Sequence, residues 1–280
     1  MRKPIAGFAA AVVLALGAAL AATSLVPPTE SAAPQRRRGY SRYRSIASSA
    51  NLPINNIPYD GKFTFLRFRF DEAYTSRGGY EFGVDQGWNH DYPRAEYNLS
   101  LMLDELTSIP VTIDYRGGNI FSFTDPELFD YPFVYISEPG YWVPSDEEIK
   151  NIGEYLLKGG FMMVDDMQPG DIDAVYQIMQ EAIPGTMFEI LDTAHPIFNC
   201  FFEITQADIL NQAWRSLYGN PVIFGIYEDN DPGKRLLAVI NHNMDIGESW
   251  EIANTGYIPP EQANNSYKIG MNYIICSMLH

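Results

Sequence analysis

The sequence predicts an α/β fold of three layers built around a mainly parallel sheet. Two observations carry this. Short apolar runs of strand length alternate with segments of helical period from Lys62 to Leu279, which implies βαβ units. The buried-looking run Phe161-Met162-Met163-Val164 then stops directly at Asp165-Asp166, as a central strand does on reaching a crevice.

The elements follow in order. Lys62 to Phe70 reads as a strand, with Phe63, Phe65, Arg67 and Arg69 on one face and Leu66, Phe68 and Phe70 on the other. A polar, Gly- and Tyr-rich connection, Asp71 to Asn89, comes next. Asp91 is expected to cap a helix with Pro93 in its first turn and Leu99, Met102, Leu103 and Leu106 inward. Val111 to Tyr115 and Pro132 to Ser137 read as strands. Ser145 and Glu148 form a capping box for a helix that ends at Gly159-Gly160. Asp171 to Ile183 is a further helix. Phe188 to Ile190, Pro221 to Tyr227 and Leu236 to Ile240 complete the strands, and Tyr267 to Leu279 closes the chain as a helix.

Three zones are expected: a secretory signal over 1–22, a basic linker over 23–51 and one domain over 52–280. Arg2 and Lys3 precede an uncharged run from Ile5 to Leu20 that ends in small residues, the pattern of an export signal. The alternative is an uncleaved membrane anchor. The expected location is the periplasm or another extracytoplasmic compartment. The linker is rich in Pro, Ser and Ala and carries Arg36, Arg37, Arg38, Arg42 and Arg44, so it cannot bury itself.

The chain has a formal charge of −16. Its first fifty residues hold seven basic residues and one acidic one, leaving 12 basic against 34 acidic, a net −22, in the rest. Such a surface repels phosphates and excludes nucleic acid as a partner. Neutral small molecules, glycans, cations or an envelope protein are the partners left. Cys200 and Cys276 are either one disulfide or two inert buried thiols.

Ligands of such folds sit beyond the C-terminal ends of the strands, so the residues there are the candidates. Neighbouring side chains at a strand end diverge. One of Asp165 and Asp166 should therefore face the crevice while the other braces the next loop; the plain alternative is two turn-forming residues before Pro169-Gly170. His195 and His242 are the expected acid–base partners. Trp88, His90, Asp91, Tyr92 and Arg67 are expected to bind ligand, with Tyr74, Tyr80, Tyr141 and Trp142 as further loop aromatics or as a hydrophobic lid. Three histidines plus a carboxylate would suit a transition metal. The spacings are long and no HxH or HExxH pair exists, so no metal or other cofactor is assigned, and a divalent cation stays as an alternative.

The segments Asp91-Tyr92-Pro93, Phe129-Asp130-Tyr131-Pro132-Phe133, Leu156 through Asp166 and His195-Pro196-Ile197-Phe198 occur in that order. Together they resemble the bacterial domain of unknown function 4159, over most of the chain from about Phe63. That family is similar to the ThuA-like proteins of the class I glutamine-amidotransferase-like fold. The resemblance implies a flavodoxin-like sandwich, with His195-Pro196-Ile197 and Asn241-His242 matching ThuA-like His-Pro-Ile and Gly-His segments; Asn241 departs from the Gly. Amidotransferases carry a Cys nucleophile at a strand-to-helix turn. Here the comparable strand runs into Asp165-Asp166, and a carboxylate cannot form the glutamyl thioester, so that activity does not carry over. Three functions remain: an envelope binding or assembly module for a neutral, carbohydrate-like ligand; a hydrolase or lyase on a sugar-like substrate using Asp165 or Asp166 with His195 and His242; and a structural domain docking a partner through its Tyr-rich loop.

Overall fold

The computed structural model describes residues 56–71, 77–78, 84–85, 87–213 and 219–279. The expected signal and linker, and Tyr74 and Tyr80, lie outside the described residues. Seven strands form the main sheet: β1 Leu66–Phe68, β4 Asn119–Phe121, β5 Phe133–Ser137, β6 Phe161–Met167, β7 Glu189–Ile190, β8 Val222–Tyr227 and β9 Leu236–His242. Their order is β4-β1-β5-β6-β9-β8-β7. The first five run parallel; β8 pairs antiparallel with β9, and β7 antiparallel with β8. A separate two-stranded ladder pairs β2 Arg77–Gly78 with β3 Val84–Asp85. The helices are α1 Arg94–Leu106, α2 Asp146–Leu157, α3 Asp171–Ala182, α4 Gln206–Leu210, α5 Ile246–Glu251 and α6 Pro260–Ser277. The chain is thus α/β, with a mostly parallel sheet.

Helices cover both faces, and the strands sort their side chains accordingly. Phe63, Phe65, Phe133, Tyr135, Phe161, Met163 and Val239 pack with α1, α5 and α6. Leu66, Phe68, Val134, Ile136, Met162, Val164, Ala238 and Ile240 pack with α2 and α3. Apolar residues at every position are what a strand buried on both faces requires. The alternation read for Phe63 to Phe70 is present, although regular pairing is confined to Leu66–Phe68 and a single bridge from Phe63 to Val111. The capping box of α2 forms in full, with the Ser145 hydroxyl accepting from the Glu148 N–H and Glu148 accepting from the Ser145 N–H. Among the described residues no helix is long and apolar enough to cross a membrane.

Several sequence expectations are corrected. Val111 to Tyr115 makes only the isolated bridge to Phe63, and the edge strand forms instead at Asn119–Phe121, outside the segments expected to be strands. There Asn119 and Ile120 exchange hydrogen bonds with Asn56 and Ile57, partners 62 to 64 residues away that local pattern cannot show. The closing helix begins at Pro260, because Pro suits the first turn of a helix. β6 runs three residues past Val164, through a register shift between Val164 and Met167. Asp91 does not cap α1: it has φ 65° and the N-cap position falls at Pro93 with no side-chain bond.

Cys200 and Cys276 are joined by a disulfide that closes 76 residues, with Cα atoms 6.1 Å apart. The loop-closure entropy withheld from the unfolded chain corresponds to about 4 kcal/mol. Reduction, or the Cys200→Ser/Cys276→Ser pair, should therefore lower the denaturant midpoint of unfolding. Equal midpoints with and without reductant would contradict this.

Candidate functional site

At the C-terminal end of the parallel strands the backbone departs from regular geometry. Glu138, just after β5, has φ 44°; Asp166, in β6, has φ 52°; Asp91, just before α1, has φ 65°. Each is a non-glycine residue in the left-handed region, which costs on the order of 1 kcal/mol or more and collects at functional sites. The three residues surround one imidazole or its neighbours. His90 Nδ1 lies 3.2 Å from Asp166 Oδ2 and 3.4 Å from Asp91 Oδ1. Side-chain exposure is 12% for His90 but only 1% and 3% for Asp91 and Asp166, so His90 is the member that reaches the surface.

The two aspartates of β6 diverge. Asp165 points to the α1/α5/α6 side and is enclosed by donors. Its Oδ2 accepts from the Tyr135 hydroxyl (3.1 Å) and from the backbone N–H groups of Ile246 (3.1 Å) and Gly247 (2.9 Å); its Oδ1 accepts from Asn241 Nδ2 (2.9 Å). Asn241 in turn accepts from the Tyr273 hydroxyl at 3.1 Å. Asp165 thus clamps β6, β9, α5 and α6 together. Asp166, carried round the bulge, faces His90 instead. Gly247 makes the close packing of α5 feasible: a Cβ there would lie 2.4 Å from the Tyr135 hydroxyl and 2.8 Å from Asp91 Oδ2.

Arg67 holds the His90 loop from behind. It is fully buried, pairs through Nε with Glu96 of α1, and lies over the Tyr135 ring at 4.7 Å. Its Nη1 donates to the carbonyls of Trp88 (3.0 Å) and His90 (2.8 Å). Arg67 is therefore a positioning residue rather than a ligand-binding one. Trp88 is wholly buried in the α2/α3-side cluster, so its ring offers no face to a ligand. Tyr92 is half-buried against Gly117, where a Cβ would come within 2.9 Å of its ring, and burial pushes its hydroxyl pKa up. Trp142 packs on Phe68 and Phe123 as part of a hydrophobic cover.

The structure does not bring His195 to Asp165 and Asp166, and it sends His242, which pairs with Met167, to the face of the sheet opposite Asp165. His195 caps the 196–198 turn, accepting from the Ile197 N–H at 3.2 Å, and lines a cavity of about 240 Å³ with Phe161 and Leu236, the first residues of β6 and β9. That is the opposite end of the sheet, roughly 13 Å or more away along a strand rising about 3.3 Å per residue. His242 ends β9 next to Phe224, and Ala238 and Ile240 of the same alternation face α2 and α3, whereas Asp165 and Asn241 face the other side. Burial lowers the His242 pKa. Period 2 along β9 dictates this: adjacent Asn241 and His242 must point to opposite faces.

Three acidic residues absent from the sequence expectations belong here: Glu138, Asp245 and Glu248. Asp245 caps α5, accepting from the Glu248 N–H at 2.9 Å, and Glu248 follows it. The strand-end rule that flagged Asp165-Asp166 applies equally to Glu138 after β5 and to Asp245 shortly after β9.

Crowding of buried acids shifts their titration. Burial pushes Asp165 up to about 6 against the pull of its donors, with the Asp166 charge adding to the rise. Asp91 is raised well above the usual range by burial, then by Asp245, Asp166 and Glu248. Asp245 is raised by burial, then by Asp166 and Asp165. A carboxyl whose pKa is higher folded than unfolded stabilises the fold fully below its unfolded value and loses that stability as pH rises through the folded value. For Asp165 the window runs from about 4 to about 6, worth on the order of 3 kcal/mol. The melting temperature in chelator-containing buffer should therefore be higher at about pH 5 than at pH 7.5, other carboxylates being equal. A curve falling steadily from neutral pH into acid would contradict it.

The fold and the clustered carboxylates define an α/β protein with a buried acid–histidine centre at the C-terminal edge of its sheet. The chain belongs to the family described as Domain of unknown function (DUF4159), whose model matches residues 53–278. No curated protein matches it.

Proposed function

We propose that this is an exported hydrolase that cleaves a C–O bond in a neutral, hydroxyl-rich small molecule at the His90–Asp91–Asp166 centre. The observation that carries the reading is Asp91: its side chain is 1% exposed, neither oxygen accepts a hydrogen bond, and Oδ1 is aimed at His90 Nδ1. A desolvated carboxylate beside an imidazole is an acid–base pair awaiting a proton donor. His90, oriented by Asp166, takes the proton of a water whose oxygen bonds to the scissile carbon, and returns it to the departing oxygen.

The net negative charge of the region after the linker supports a neutral substrate over a phosphorylated one. The disulfide and the export-like N-terminus support an oxidising, extracytoplasmic compartment. A flavodoxin-like, ThuA-related sandwich is the architecture this reading assumes. Amidotransfer is not proposed, because β6 delivers Asp165 and Asp166 where a thiol would be needed.

The test is turnover of a panel of neutral chromogenic glycosides and esters by the purified chain and by Asp166→Asn, with saturation binding followed in parallel. Turnover lost in Asp166→Asn supports the hydrolase. Saturable binding without turnover would leave the second reading, a binding module, which the near-complete burial of the carboxylates favours.

A further inference from the structure

Buried beside His90, the Asp91 carboxylate has no hydrogen-bond donor at either oxygen. Nδ1 lies 3.2 Å from Asp166 Oδ2 and 3.4 Å from Asp91 Oδ1. A single N–H on that nitrogen can point at only one of them, and Asp91 accepts no hydrogen bond at either oxygen. Two further carboxylates complete overlapping sets with the same histidine. One atom each of His90, Glu138 and Asp166 lie within 4.8 Å of one another, and so do atoms of His90, Asp91 and Glu248.

These separations suit ligands that share an ion. With bonds of about 2.1 Å, neighbouring donor atoms are about 3.0 Å apart in octahedral geometry and about 3.4 Å in tetrahedral geometry. A cation held with His90 and Glu248 can answer Asp91, which the His90–Asp166 contact leaves without a donor. We infer that His90, Asp91 and Glu248 bind one divalent first-row transition-metal cation, with Asp166 and Glu138 grouped with the same imidazole beside it. A nitrogen among oxygen donors suits Zn²⁺ or Mn²⁺ better than Ca²⁺ or Mg²⁺, which prefer all-oxygen shells. The supporting shell is in place: Arg67 Nη1 holds the His90 carbonyl at 2.8 Å, and Gly247 lets α5 close against Asp91.

This inference deepens the hydrolase reading and rests on the same crevice being the working site; with a cation bound, His90 would be its ligand and the cation, in place of His90, would lower the pKa of the attacking water. It is tested separately. The full chain is stripped with EDTA, dialysed and titrated calorimetrically with ZnCl₂ and with MnCl₂, and bound metal is counted by mass spectrometry after desalting. One equivalent of at least one metal is expected. Asp91→Asn, Glu248→Gln and His90→Gln should each weaken binding at least about tenfold, the low end of what perturbing a metal site costs, while the remote, exposed Asp229→Asn keeps the wild-type affinity. Circular dichroism checks that each variant is folded; should one not fold, the other two are read. No binding by the wild type, or unchanged binding in the folded variants, overturns the inference. Metal bound without turnover of any panel substrate leaves the cation site standing and removes the hydrolase; turnover in EDTA with no metal bound does the reverse.

Discussion

Arg67→Met is expected to lower the stability of the protein by about 3–5 kcal/mol, the cost of stranding one member of a buried ion pair. The Glu96 carboxylate would stay in an interior where burial already raises its pKa and Arg67 is what lowers it. The carbonyls of Trp88 and His90 would lose their shared donor in the same step. The double variant Arg67→Met/Glu96→Leu should recover most of the loss, because a buried pair can be replaced by apolar residues at little net cost. Chemical denaturation of the wild type, both single variants and the double variant closes the cycle. A double variant no better than the sum of the singles would show that Arg67 acts mainly on the His90 loop and not through Glu96.

Asp165 should separate shape from charge. Asp165→Ala leaves the Tyr135 hydroxyl, the Asn241 amide and two backbone N–H groups without their acceptor. At about 1–3 kcal/mol for each buried orphan, the loss should exceed about 4 kcal/mol unless water fills the gap. Asp165→Asn should be far milder. Its oxygen can keep the three bonds now made to Oδ2. Its amide can donate to Asn241 Oδ1 once the Asn241 side chain flips, and the Tyr273 hydroxyl can then accept where it now donates. Asp165→Asn should also flatten the rise in melting temperature between pH 7.5 and about 5, since the carboxyl held near 6 is gone. Equal damage from Ala and Asn would mean that the charge, rather than the acceptor, holds the joint.

Local sequence determined the composition of the layers. Strand length, two-sided burial and the Ser145–Glu148 capping box are encoded by neighbours in the chain, and the corresponding strands and α2 form close to where the pattern puts them. It also put Asp165-Asp166 near the end of a buried strand and singled out His90 and Asp91 as candidates. The tertiary structure alone decided their grouping. His195 and His242 carry the same chemical signal as His90, but period 2 sends His242 to the other face and the turn at Pro196 sends His195 to the other end of the sheet. Asp91 looked like a helix cap; a left-handed backbone at that residue moves the cap to Pro93 and releases the carboxylate into the crevice. Glu138, Asp245 and Glu248 join it from segments tens of residues away or more. A site assembled at the ends of separate strands has no sequence spacing to read, because what brings its residues together is the lateral order of the strands, and that order is fixed by packing across the whole sheet.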